Sequence, residues 1–141
     1  MLIALRPDFV ATHWEEIAHY VGQGLPPIGL NEGMAMNKVL ERILTGNLTC
    51  WIVVSRDKVV EGVLLTCTSE DYTTGTKTLL LYALAGNLSD ESWEDGYATL
   101  VKHARGHGCR LLGAYTENER VLEMSRKYNF NTDVRYIYLE V

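Results

Sequence analysis

Between positions 90 and 95 the chain places four carboxylates, Asp90, Glu91, Glu94 and Asp95, with Ser89 and Ser92 among them. The apolar run Leu79 to Leu84 leads into this cluster through Ala85, Gly86 and Asn87. In α/β enzymes such a strand-to-helix junction holds phosphate, because glycines and the free N–H groups of a helix start face the anion. Here the same place is acidic. Two unit charges ~6 Å apart cost roughly 3 kcal/mol at an effective dielectric of ~20. The helix dipole returns only about 0.3–1 kcal/mol per anion. The plainer use of these residues is structural: Ser89 or Asp90 as N-cap, followed by acids in the first turn, starts a helix well.

Other residues have the types that chemistry needs. His103 and His107 are four apart with Cys109 near, which is metal-like spacing, yet Gly106 and Gly108 fray that turn. A solvated helix end is the simpler reading, and no metal is expected. His13 and His19 lie six apart on a helix, on different faces, and read as surface residues. The cysteines are three, Cys50, Cys67 and Cys109, an odd number without paired spacing. They fit a reducing compartment as small packing residues, and Cys50 and Cys67 sit in apolar strands where thiols are inert. No Ser-His-Asp arrangement is visible.

Positioning these residues falls to a single domain spanning 1–141, long enough to bury a core. Apolar content of 47% with 22% charged residues is that of a soluble globular protein. A net charge of −5 argues against nucleic acid or an anionic membrane as partner. No run approaches the ~18 apolar residues of a membrane helix, and Met1 to Pro7 lacks the charge order of a signal peptide. A cytoplasmic protein is expected.

The periodicities predict a short strand at Leu2–Leu5 and a helix carrying Trp14, Ile17, Ala18 and Val21. A loop follows through Gly22, Gly24, Pro26, Pro27 and Gly29. A second helix begins near Asn31, has Met36, Val39, Leu40, Ile43 and Leu44 on one face, and ends at Gly46-Asn47. Strands are expected at Cys50–Val54 and Val59–Cys67 around a tight turn at Arg56-Asp57-Lys58, then a loop from Ser69 to Lys77 and the Leu79 strand. A helix from Asp90 has Trp93, Tyr97, Leu100, Val101 and Ala104 on one stripe. A strand at Arg110–Thr116, a helix at Asn118–Tyr128 and a last strand at Val134–Val141 complete the order β-α-α-β-β-β-α-β-α-β. That order makes a mixed, mostly antiparallel α/β (α+β) sheet with helices on both faces.

The order and several residue patterns resemble the GNAT superfamily of acetyl-CoA-dependent N-acetyltransferases over nearly the whole chain. Trp51-Ile52-Val53-Val54, the Arg56-Asp57-Lys58 turn and Val59-Val60-Glu61-Gly62 are similar to its second and third strands. Ala104-x-x-x-Gly108 with Leu111-Leu112 resembles the end of its central helix and its fifth strand. The run from Asn118 through Val121, Met124 and Ser125 to Asn129-Phe130 resembles its pattern Asn-x-x-Ala-x-x-Leu-Tyr-Glu-Lys-x-Gly-Phe. In that family the central strands splay and CoA lies in the wedge. An Arg/Gln-x-x-Gly-x-Gly/Ala loop holds its pyrophosphate.

Counted back from Ala104 and Gly108, that loop falls on Leu88, Glu91 and Trp93, and all three depart from it. Glycine lets backbone approach the phosphates; Glu91 and Trp93 crowd that approach. The family's tyrosine acid falls on Ser125, a poor general acid near neutral pH, with Tyr128 three residues on as a stand-in. Asn118 either bonds CoA or caps the last helix. Asn129 replaces the family's glycine and readily enters the left-handed region.

The resemblance therefore implies a degenerate member: a GNAT-fold protein with eroded CoA chemistry, non-catalytic or weakly active, serving in binding or assembly. Small GNAT-like proteins of tailed phages are similar, which would make it virion-associated. The alternative is a working N-acetyltransferase acting on a small amine or protein acceptor. It would hold acetyl-CoA through the backbone of Tyr82, Ala83 and Leu84 and of Asn87, Leu88 and Ser89, with Asn118 assisting and Tyr128 or water as acid. Its base would be one of Glu32, Glu61, Glu70 and Asp71. A third reading keeps a small ligand in the wedge without catalysis. The transferase and ligand readings expect a concave, partly polar wedge between the Leu79 and Arg110 strands. The assembly reading expects Trp93 or Tyr115 to plug it and a homo-oligomer to cover apolar surface, by strand exchange or edge pairing. Tyr115, Tyr136 and Tyr138 either line the wedge or form one packed face.

Overall fold

β-Branched and apolar residues dominate three consecutive runs after Leu48, and all three become strands. A computed structural model describes residues 1–25 and 35–141. Its elements are β1 (Leu2–Ala4), α1 (Pro7–Thr12), α2 (Trp14–Gln23), α3 (Ala35–Leu44), β2 (Thr49–Val54), β3 (Val60–Glu70), β4 (Lys77–Gly86), α4 (Asp90–Gly106), β5 (Leu111–Ala114) and α5 (Glu119–Lys127). The strands form one sheet in the order β1-β2-β3-β4-β5. The first three pairings are antiparallel and β4–β5 is parallel, so the expected mixed, mostly antiparallel sheet is present.

Strand alternation separates two apolar layers. Cys50, Val63, Leu65 and Ala83 face α1–α3, where Val10, Ile17, Val21, Val39 and Ile43 meet them. Trp51, Val53, Leu64 and Leu79 face the other way, onto Leu100 and Ala104 of α4. Helices thus cover both faces. On the α4 side the Trp51 indole N–H donates to Thr66 Oγ1 at 2.9 Å, which satisfies a buried pair.

The tight turn between β2 and β3 has Lys58 at φ 61°. The β3–β4 hairpin is longer than its polar composition predicts, because pairing continues to Glu70 opposite Lys77. Its tip is held by Asp71, whose carboxylate accepts from the N–H groups of Thr73 and Thr74 at 3.0 and 2.8 Å.

Three expectations are revised. The helix expected through Trp14, Ile17, Ala18 and Val21 is α2, but an unexpected α1 precedes it. That helix begins on Pro7, whose fixed φ suits a first helical position, and stops at His13. Six residues with one buried side chain, Val10, are too few to show a period. Gly22 lies inside α2 rather than in a loop. The strand expected at Val134–Val141 is not formed; residues 128–141 belong to no helix or strand. Alternation marks a segment able to be a strand, but a strand exists only with a neighbour to take its N–H and C=O groups. The loop expected at Pro26, Pro27 and Gly29, the helix start expected at Asn31 and the base considered at Glu32 lie outside the described residues.

Candidate functional site

β5 pairs with β4 only from Thr78 to Leu81, whereas β4 runs on to Gly86. From Tyr82 onward β4 has no neighbouring strand on that side among the described residues. Its backbone groups there are free to meet a ligand. The β3–β4 register also slips at this point. Thr66 lies opposite Leu81 and Leu65 opposite Ala83, which leaves Tyr82 as the extra residue of a bulge. A bulge bends the strand and re-aims its groups, and bulges gather at sites. The parallel strands splay from here.

The wedge holds a cavity of about 180 Å³. Tyr82, Ala83 and Leu84 form its β4 wall, Leu112, Ala114 and Tyr115 its β5 wall, Leu88, Trp93, Tyr97 and Leu100 its α4 wall, and Asn118, Ser125 and Tyr128 its α5 wall. Toward the mouth lies a second cavity of about 360 Å³, lined by Leu84, Asn87, Leu88, Trp93, Asn118 and Arg120 among others. The candidate residues Tyr82, Ala83, Leu84, Asn87, Leu88, Asn118, Ser125 and Tyr128 are therefore drawn together around one wedge. Of the two residues expected to plug it, Trp93 lines both cavities and Tyr115 the inner one.

Each α5 candidate has a defined setting. Asn118 caps α5: its side-chain oxygen accepts from the N–H groups of Arg120 and Val121 at 2.9 and 3.2 Å. Ser125 Oγ donates to the Val121 carbonyl at 2.7 Å. Tyr128 ends the helix and stacks on Tyr97, ring centroids 4.4 Å apart. Its hydroxyl, like the Trp93 indole N–H, is buried without a hydrogen-bond partner among the described residues. Asn129 takes φ 62°, in the left-handed region its side chain tolerates.

At the start of α4, Ser89 is the N-cap, its Oγ accepting from Ser92 N–H at 3.2 Å. A second anion stands there. Glu61 Oε2 lies 3.3 Å from both the Ser89 N–H and the Ser89 hydroxyl. Hydrogen bonding from the Ser92 hydroxyl first, then from Ser89, holds the Glu61 carboxyl below its ordinary range. The acidic cluster itself is partly neutralised. Asp90 pairs with Arg120, Glu91 with Arg56, and the Met1 amino group lies 3.3 Å from Asp95. These pairs are exposed and individually weak, yet they blunt the repulsion expected from bare carboxylates.

Two glycines let backbones close on this end of the sheet. A Cβ on Gly24 would fall 2.4 Å from the Leu84 carbonyl oxygen, so only glycine lets the end of α2 rest against β4. Gly86, at φ 124°, would set a Cβ 2.2 Å from the Glu61 oxygen.

The remaining candidates sit elsewhere. Glu70 and Asp71 lie at the hairpin between β3 and β4, where Asp71 is held at about 2 by hydrogen bonds from Thr74 and then Thr73. His103 and His107 rings are 4.1 Å apart, and the edge of Trp51 meets His103. Burial, then the neighbouring His107, lowers the His103 pKa. Cys50 is buried, which pushes its thiol up to about 12. Tyr136 and Tyr138 are ring to ring at 6.0 Å on the exposed C-terminal segment, outside the wedge. Sequence reasoning missed Glu61 as the anion on Ser89, Gln23 and Gly24 as wall, Arg120 at the mouth, and the Tyr82 bulge. None of these has a local signal, since each depends on residues distant in the chain.

No protein-family model matches the sequence, and no curated protein is similar to it in sequence. The three-dimensional comparison is informative. The chain is similar to an aminoglycoside N-acetyltransferase, AAC(6')-Iy, in complex with a CoA bisubstrate analogue, at 17% identity and TM-score 0.72, covering 100% of this chain and 97% of that one. It is similar to a soil-metagenome aminoglycoside acetyltransferase in complex with sisomicin, at 10% identity and TM-score 0.70, over 100% and 95% of the two chains. A ribosomal-protein-alanine N-acetyltransferase from Brucella melitensis matches at 8% identity and TM-score 0.70, over 100% and 99%. At these identities the likeness concerns fold: the chain has the GNAT acetyltransferase fold.

Proposed function

We propose that this chain uses the GNAT fold for binding and assembly, with ordinary acetyl-CoA transfer absent or weak. The observation that carries this reading is the Glu61 carboxylate on the N–H and hydroxyl of Ser89. Those donors, at the start of α4, are the ones a pyrophosphate needs, and a carboxylate of the protein already takes them. Trp93 adds bulk where the family's loop has a small residue. Ser125, at the family's tyrosine position, spends its hydroxyl on its own helix. Small size and eroded motifs support a likeness to the GNAT-like proteins of tailed phages, with a cytoplasmic or virion-associated setting.

Calorimetric titration with acetyl-CoA and CoA tests this. The wild type is expected to give no heat at millimolar ligand, and Glu61→Ala to gain measurable affinity by freeing the Ser89 donors. Micromolar binding by the wild type overturns the reading.

A second reading, acyl transfer from acetyl-CoA to an amine, is favoured by the free β4 edge beyond the Tyr82 bulge and the buried, unpartnered Tyr128 hydroxyl. In it the backbone of Tyr82–Leu84 receives the thioester arm and Tyr128 protonates the departing thiolate. Glu117 on the wedge wall offers a carboxylate to a cationic amine such as the aminoglycosides of the structural neighbours. Thiol release on mixing acetyl-CoA with an aminoglycoside or an alanine-terminated peptide, lost in Tyr128→Phe, would establish it.

A further inference from the structure

Five aromatic residues line the inner wedge cavity: Trp93 and Tyr97 from α4, Tyr115 just beyond β5, and Tyr128 and Phe130 at the end of α5. Tyr97 stacks on Tyr128 with ring centroids 4.4 Å apart and lies 6.2 Å from Phe130, so three rings form one continuous wall. Glu117 is the only charged side chain on the cavity wall among the described residues. Several polar side chains there are already bonded within the chain. Ser92 accepts from Ser89, Thr116 accepts from the Asn118 N–H, Asn118 caps α5, and Ser125 donates to Val121.

These features select a ligand by charge and by hydrogen bonding. The negative face of an aromatic ring attracts a cation within about 6 Å of its centre. The chain makes one such contact itself, with Lys127 Nζ 5.8 Å from the centre of the Tyr128 ring. A carboxylate beside the rings strengthens the preference for positive charge and opposes an anion. A primary ammonium would bring three N–H donors that need acceptors, and the bonded side chains of the wall are poorly placed to supply them. A fully alkylated ammonium brings no donor. Size agrees, because the cavity holds about 180 Å³. An apolar cavity of roughly 150 Å³ takes benzene, whose bulk is close to that of a trimethylammonium head.

We infer that the wedge binds a small quaternary ammonium ion of the choline class, seated among the rings of Trp93, Tyr97 and Phe130 with Glu117 as its counter-charge. Its ammonium group is held and not acylated, since a fully alkylated nitrogen has no lone pair to attack a thioester. The inference rests on the binding reading above and names what the wedge itself takes. Trp93 then has a use beyond filling the place of a small residue: it is the strongest of the cation-attracting rings.

Calorimetric titrations with choline and with its uncharged isostere, in which carbon replaces the ammonium nitrogen, test it. The wild type is expected to bind choline about tenfold more tightly than the isostere. Glu117→Gln changes an exposed side chain and is expected to weaken choline on the order of threefold while leaving the isostere unchanged. Trp93→Leu keeps apolar bulk and is expected to weaken choline about tenfold. Equal affinity of the wild type for choline and its isostere overturns the inference, because the cavity would then be apolar without preferring charge. That comparison needs no variant to fold. Absence of choline binding, or choline affinity that both folded variants retain, overturns it as well. The CoA titration is read apart from these. A wild type that binds both CoA and choline overturns the assembly reading and supports this inference, whereas one that binds neither does the reverse.

Discussion

Tyr128 and Trp93 each bury a polar atom without a partner at the wedge. Such a group costs about 1–3 kcal/mol when it loses water and gains nothing. Replacing Tyr128 with Phe keeps the stack on Tyr97 and removes the orphan hydroxyl. The variant is expected to be more stable than wild type by about 1 kcal/mol in urea unfolding. A loss of stability instead would mean that the hydroxyl has a partner in solution. Ser125 differs, because its hydroxyl bonds within the helix and carries no such burden. The Ser125 hydroxyl is taken up within its helix, whereas the Tyr128 hydroxyl three residues on has no partner among the described residues.

At the scale of elements, α4 is the hinge of the functional question. Ser89 caps it, Asp90 and Glu91 fill its first turn, and Arg56 and Arg120 reach these acids from the β2–β3 turn and from α5. Ser89→Ala removes both the cap and the hydroxyl that meets Glu61. It is expected to cost about 1 kcal/mol, near the middle of the range for N-caps, measured by thermal or denaturant unfolding. Asn118 plays the same part for α5, which settles its visible use as a cap. Helix starts of this kind are legible in sequence because capping is local. The charge compensation around them is not, because Arg56 and Arg120 are brought in by the sheet and by packing.

Across the whole molecule, stability against pH follows from several perturbed groups. Glu61 and Asp71 have carboxyls held below their ordinary values of 4.5 and 3.8. Their contribution is complete above those values and is lost as pH falls through the folded ones, about 2 for Asp71. Cys50, raised from 9.0 to about 12 by burial, acts in the opposite sense. Its contribution is complete below pH 9 and is lost as pH rises toward 12. His103, lowered from 6.5 by burial, loses stability as pH falls through that value. A Tm that is flat between roughly pH 7 and 9 and falls on both sides is therefore expected in a calorimetric pH series. The sequence by itself determined the strand and helix order through Leu112 apart from α1, the helix caps at Ser89 and Asn118, the left-handed Asn129 and the GNAT likeness. Periodicity, capping and turn chemistry are local and act within a few residues. Only the tertiary structure decided where β4 and β5 part, that Tyr82 bulges, that Glu61 occupies the start of α4, and that the last alternating run stays unpaired. Those outcomes depend on which backbone groups find partners across the chain, and no local pattern holds that information.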